Sequence, residues 1–124
     1  MAENRVFNIG MQRVVKRVGK RFPNGLLAVV PVVKELWYQG QWREEFITCK
    51  KVAIVGSRRM SNYGERVVEM IVPGLVEAGV VIVSGFMYGV DQAAHRTCLE
   101  CGGKTIAVLG WGIDKEVGGE DEKL

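Results

Sequence analysis

Two adjacent arginines, Arg58 and Arg59, stand just past the glycine that ends a β-branched run, in VAIVGSRRMSNYGE at residues 52–65. A strand-to-helix turn is where an α/β fold usually receives an anion. Glycine lets the backbone come close, amide N–H groups are exposed, and the following helix adds roughly half an elementary charge. A guanidinium at the same spot offers a planar fork that suits phosphate. Arg58, two residues beyond Gly56, is positioned for that role; Arg59 is expected to face solvent or a neighbouring carboxylate. Two more glycine-bearing turns share the setting, SGFMYGVD (84–91) and GWGID (110–114). Lys104 follows Gly102 and Gly103 at the start of a strand, where a solvated strand end and a phosphate contact are equally good readings.

Other chemistries are weaker. HRTCLEC places His95, Cys98 and Cys101 at a spacing that suggests metal ligands, but the segment reads as helix and only Cys49 is left as a fourth donor. Burial on a packed helix face explains the same spacing, so no metal is expected. Ser57, Ser84 and His95 do not form a nucleophile motif, since Ser84 lies in VSGF rather than in GxSxG. An Asp91–His95 contact that fixes the turn is the better reading of that pair. Asp91 and Asp114 give no sign of the separation a two-carboxylate mechanism needs. The chain has neither GxGxxG nor GxxxxGK[ST], which removes the dinucleotide fingerprint and the P-loop. The residues favour binding, with no catalytic residue and no cofactor expected.

The elements that position these residues are legible from residue 51 onward. KVAIVG is a short apolar run, expected to be a strand covered on both faces. SNYGERVVEMIVPGLVEAG follows as a helix, with Val67, Met70, Ile71, Leu75 and Val76 at helical spacing. Ser61 or Asn62 caps it, Glu65 completes a capping box from Asn62, Pro73 kinks it near Glu69, and Gly79 ends it. VVIVSG is a second strand, GVDQAAHRTCLECG a second helix with Asp91 as its cap, and KTIAVLG a third strand. That alternation predicts an α/β fold, a Rossmann-like parallel sheet with flanking helices.

Upstream, residues 5–20 have Val6, Ile9, Val14, Val15 and Val18 among basic residues, which predicts a short amphipathic helix. Residues 21–42 read as turns, a short helix and a strand, with Trp37, Tyr38 and Trp42 expected to pack this segment onto the sheet rather than to stack on bases. The division expected is 1–50 as an N-terminal extension packed on the core, and 51–124 as the Rossmann-like domain, incomplete. The 124 residues carry a net charge of +3, with 48% hydrophobic and 25% charged residues, ordinary for a globular domain and compatible with a polyanionic partner. Three cysteines do not make a disulfide framework, and no apolar run approaches the roughly 20 residues that span a bilayer. No secretory signal is evident at the start, and the expectation is a cytoplasmic protein without membrane contact.

VAIVGSRRMSNYGERVV, VSGFMYGVDQAAHRTCLECGG and GGKTIAVLGWGID together resemble the DNA-processing DprA/Smf family, over about residues 22–114. The resemblance implies an extended Rossmann fold that binds single-stranded DNA without strong sequence preference. It further implies protection of incoming strands and their transfer to the RecA recombinase in natural transformation and recombination. Carried onto this sequence, the DNA pocket is Gly56, Ser57, Arg58, Ser84, Gly85 and Lys104. Met87 stands where the family usually has alanine, which implies a bulkier pocket wall, and KEVGGEDEKL replaces the usual tyrosine-proline. The second half of the family's domain, with its RN-containing motif and its surface for homodimer formation and RecA contact, has no counterpart here. A different class, the nucleoside-monophosphate phosphoribohydrolases called LOG, uses PGGxGTxxE, and no such string occurs.

Overall fold

The computed structural model describes residues 13–16 and 19–111. They fall into two compact units, which divide between Ile47 and Thr48. In the first unit, β1 (Arg13–Lys16) pairs antiparallel with β2 (Glu35–Tyr38), with Val14 opposite Trp37 and Val15 opposite Leu36. This overturns the helix expected over residues 5–20 wherever that span is described. Val14 and Val15 are β-branched, and a cross-strand partner satisfies their backbone better than a lone amphipathic turn would. Residues 5–12 lie outside the described part. A 3₁₀ turn (Asn24–Leu26) sits between the strands, and a short helix, α1 (Glu44–Thr48), follows at the unit's end. Within this unit the rings of Tyr38 and Trp42 lie 4.8 Å apart and the Arg21 guanidinium sits 6.0 Å from the Trp42 ring, while Trp37 is exposed.

The second unit is the α/β core. Its strands β3 (Lys51–Ala53), β4 (Val81–Ser84) and β5 (Thr105–Ala107) form a parallel sheet in the order β3-β4-β5. Helix α2 (Asn62–Glu77) joins β3 to β4, and α3 (Val90–Glu100) joins β4 to β5. Both crossovers step in the same direction across the sheet, so right-handed connections put both helices on one face. Val68 and Val72 of α2, Ala93, Ala94 and Cys98 of α3, and Ile82 of β4 make one buried cluster. Val72 and Ile82 are fully enclosed, and each contributes about 1.5–3 kcal/mol by leaving water. The expectation that the first strand is covered on both faces does not hold. β3 is the sheet's edge, all three of its residues are exposed, and the burial falls on central β4 instead.

The helix ends follow local chemistry. Ser61 caps α2, its Oγ accepting from the Gly64 amide at 3.1 Å. Asn62 is already the first helical residue, so the capping box from Asn62 to Glu65 does not form. The helix continues through Pro73 to Glu77. Both helices then close in the same way. Gly79 and Gly102 adopt positive φ, and the paired bonds Gly79 N–H to Val76 O and Val80 N–H to Leu75 O recur as Gly102 to Leu99 and Gly103 to Cys98. Among the described residues no helix is long and apolar enough to cross a membrane.

Candidate functional site

The turn that carries the arginines is held from the far side by the start of α3. The Val90 N–H donates to the Ser57 carbonyl at 3.2 Å. Gly89, with φ 80° and ψ −125°, lies so close that a Cβ there would come within 2.2 Å of the Ser57 carbonyl oxygen and 2.8 Å of that of Arg58. Only glycine fits, both for conformation and for space. Gly56 serves the same junction, since a Cβ on it would meet the Val90 Cβ at 2.8 Å. Its missing side chain admits α3 rather than a ligand.

Within this clamp the Ser57 Oγ accepts from the Arg59 amide at 3.0 Å, closing a tight local turn. Ser57, Arg58 and Arg59 are all exposed. Neither guanidinium forms a hydrogen bond or an ion pair with another described residue. Arg58 therefore stands ready at the carboxyl rim of the sheet, with its backbone fixed and its charge unmatched among the described residues.

The other expected site residues are placed differently. Ser84 is buried and donates its hydroxyl to the Ile54 carbonyl at 2.5 Å, tying β4 to the end of β3. It is not available to a surface anion. Gly85 packs on Asp91, whose Oδ2 would lie 2.8 Å from a Cβ at that position. The amides at the start of α3 are spent within the chain: Val90 on Ser57, Gln92 on the Met87 carbonyl at 3.1 Å, and Ala93 on the Gly89 carbonyl at 3.0 Å. Asp91 does not cap the helix, because Gly89 occupies the N-cap position and no side chain bonds there. Lys104 is exposed but precedes β5, and its carbonyl accepts from Ile82 N–H at 3.0 Å. In a parallel sheet that puts it at the amino rim, beside Val81 and level with Lys51, opposite the rim that bears Arg58. Arg58 and Lys104 do not share one pocket. Asp114 and the acidic tail lie outside the described residues.

A buried polar cluster lies behind the clamp. His95 is almost fully enclosed, with Nδ1 2.6 Å from Thr105 Oγ1, and that hydroxyl donates to the Ile82 carbonyl at 3.0 Å. Thr105 has one hydroxyl hydrogen and spends it on Ile82, so it accepts from His95, which fixes the imidazole hydrogen on Nδ1. Burial lowers the His95 pKa, against an opposing pull from the Asp91 charge and the Ser84 backbone. The neutral ring then presents Nε2 as an acceptor. Nε2 and Asp91 Oδ1 are both buried without a hydrogen-bond partner among the described residues, so the expected Asp91–His95 contact is electrostatic rather than a bond. The Phe86 ring packs on His95 with centroids 5.6 Å apart, from a backbone held at φ 60°. His95, Ser57 and Ser84 are thus each engaged elsewhere and do not meet as a nucleophile and its base. Cys98 is buried, donates to the Lys104 carbonyl at 3.4 Å, and has its thiol pushed up to about 11 by burial, while Cys101 is exposed.

A family model described as DNA recombination-mediator protein A matches residues 13–124. The chain belongs to that family, the DprA/Smf proteins. It is 48% identical over 79 residues to DNA processing protein DprA of Streptococcus pneumoniae, across 64% of this chain and 27% of the relative. With protein Smf of Escherichia coli the identity is 37% over 93 residues, across 75% of this chain and 24% of the relative. The X-ray structure of DprA from S. pneumoniae superposes with a TM-score of 0.81 at 35% identity, over 93% of this chain and 40% of that one. DprA from Helicobacter pylori, described for its unique single-stranded DNA binding mode, gives a TM-score of 0.75 at 25% identity, over 97% and 51%. The chain spans about a quarter of the length of these curated relatives.

In this DprA/Smf chain two residues at the arginine turn were not expected from the sequence. Tyr63, in the first turn of α2, is 77% exposed, and Tyr88, beside Gly89, is 61% exposed. The signal available was a tyrosine four residues past the paired arginines and another inside the second glycine-bearing turn. Met87, in the same loop as Tyr88, is half-buried.

Proposed function

We propose that this chain is the part of a DNA-processing protein that grips the backbone of single-stranded DNA at the carboxyl rim of its sheet. The contact is made by Arg58 with the exposed turn of Gly56 and Ser57, and Arg59 adds a second cation. The observation that carries this reading is an exposed guanidinium, unmatched among the described residues, on a backbone clamped from behind. An arginine kept for stability would be expected to meet a carboxylate, and this one meets none among the described residues. Family membership and the DNA-binding relative support the same choice of ligand. Binding, not catalysis, is the activity, because the hydroxyls and the imidazole nearest the rim are committed to the fold. Strand protection in natural transformation and recombination is the role that follows. RecA contact and homodimer formation are assigned to the part of the family's domain outside this chain.

The test is binding of an oligo-dT strand across a salt series. Two phosphate contacts give a slope of log K against log salt of about −1.4, at roughly −0.7 per phosphate on single strands. Arg58→Ala is expected to weaken binding and to bring the slope close to half that value. A salt-independent isotherm, or an Arg58→Ala variant that binds as the parent does, refutes the proposal.

A further inference from the structure

An apolar groove of about 300 Å³ runs along α2 beside the edge strand, lined by Val55, Tyr63, Val67, Ile71 and Val90 among others. Its end lies at the arginine turn, because Val90 is also the residue that packs on Gly56 and bonds Ser57. Val55 is 73% exposed and Ile71 49% exposed, so the wall is open to solvent. Tyr88 rises from the other turn, one residue from the Gly89 backbone that touches the carbonyls of Ser57 and Arg58. Tyr63 stands in the first turn of α2, four residues past Arg59, and Tyr88 in the loop that packs on the arginine turn, so two exposed tyrosines accompany two guanidiniums that have no partner among the described residues.

We infer that Tyr63 and Tyr88 are stacking platforms for bases next to the phosphate held by Arg58, with the groove beside Tyr63 taking one base. This deepens the proposed function and rests on it. A nucleic-acid strand alternates an anionic linkage with a flat ring whose faces are apolar. The rim presents matching chemistry, with guanidiniums in one turn, an exposed tyrosine in the loop that packs on that turn, and a second tyrosine beside the apolar groove. A peptide helix or strand docked in the groove would leave the two cations at its end without a partner, whereas a nucleotide uses both. Stacking on tyrosine needs a π-face and no hydrogen-bond code, so it tolerates any base.

The experiment compares oligo-dT with an abasic strand of equal length, which keeps the phosphates and removes the rings. Tyr63→Ala and Tyr88→Ala are each expected to weaken oligo-dT binding by roughly 5- to 150-fold, leaving the salt slope and the affinity for the abasic strand unchanged. Tyr63→Phe and Tyr88→Phe are expected to bind as the parent does, because the ring face is kept. Arg58→Ala weakens both strands alike. If the parent binds oligo-dT with the expected salt slope but the alanine variants lose nothing, or lose equally on the abasic strand, the tyrosines are not platforms and the phosphate grip still stands. If the parent binds neither strand, the grip and the platforms fall together. Both side chains are mostly exposed, so the variants keep the fold, which a circular dichroism melt verifies.

Discussion

Replacing Gly89 by alanine tests the clamp behind Arg58 directly. The backbone there, at φ 80° and ψ −125°, is in a region that residues with a Cβ avoid, and the new methyl would sit 2.2 Å from the Ser57 carbonyl oxygen. Relief requires the two turns to part, which also breaks the Val90–Ser57 bond. Strain of this kind costs about 1–3 kcal/mol, and the lost bond about 0.5–1.5 kcal/mol. With the overlap added, a loss of about 3 kcal/mol is expected, or about 12 °C in melting temperature for a chain of this size. Gly79→Ala is the control. Gly79 also has positive φ, 76°, but nothing lies within 4 Å of its missing Cβ. Only the left-handed penalty of about 1–2 kcal/mol applies there, or about 4–8 °C. Thermal melts and oligo-dT titrations below both transitions separate the two effects. Gly89→Ala should lose affinity because the arginine turn has moved, and Gly79→Ala should keep it. Equal melting shifts for the two variants, with full binding by Gly89→Ala, would refute the clamp.

His95, the chain's one histidine, is neutral in the fold with its pKa lowered by burial, so the unfolded chain takes up its proton first. Stability should therefore be level above pH 6.5 and fall below it, by at most about 1.4 kcal/mol per pH unit down to the native value. Urea midpoints at pH 7.5 and 5.5 measure this, and a slope in the parent that persists in His95→Gln would count against it. Gly103→Ala places a Cβ 2.6 Å from Val76 Cγ2 and 2.8 Å from Cys98 Sγ, so a loss of about 1–3 kcal/mol is expected. Pairing it with Val76→Ala should recover part of that loss in the same denaturation assay. A double variant no better than the sum of the singles would show that the crowding lies elsewhere.

The run of strands and helices from residue 51 was legible because each level of the sequence agrees there. β-Branched runs, helical spacing and glycine stops all name the same elements. Residues 13–16 were not legible, since Val14 and Val15 suit a strand but show it only when Leu36 and Trp37 arrive to pair with them. The site divides in the same way. Arg58 at a strand-to-helix turn follows from order along the chain. The fate of Ser84 does not, because its partner is the Ile54 carbonyl thirty residues away on the neighbouring strand. Gly56 and Gly85 announce close approach without saying that the neighbours are Val90 and Asp91 rather than a ligand.

From residue 51 onward the sequence by itself determined the order of elements, the helix stops and the presence of a cation where anions are received, all of which depend on neighbours a few residues apart. Tertiary structure alone decided which rim each cation occupies. The lysine after the double glycine enters its strand and the arginine after the single glycine leaves one. Three strands running in parallel therefore carry Lys104 and Arg58 to opposite ends of the sheet. The same pairing brings Gly89 against Ser57 and leaves Arg58 facing water, a contact between segments thirty residues apart that no local spacing encodes.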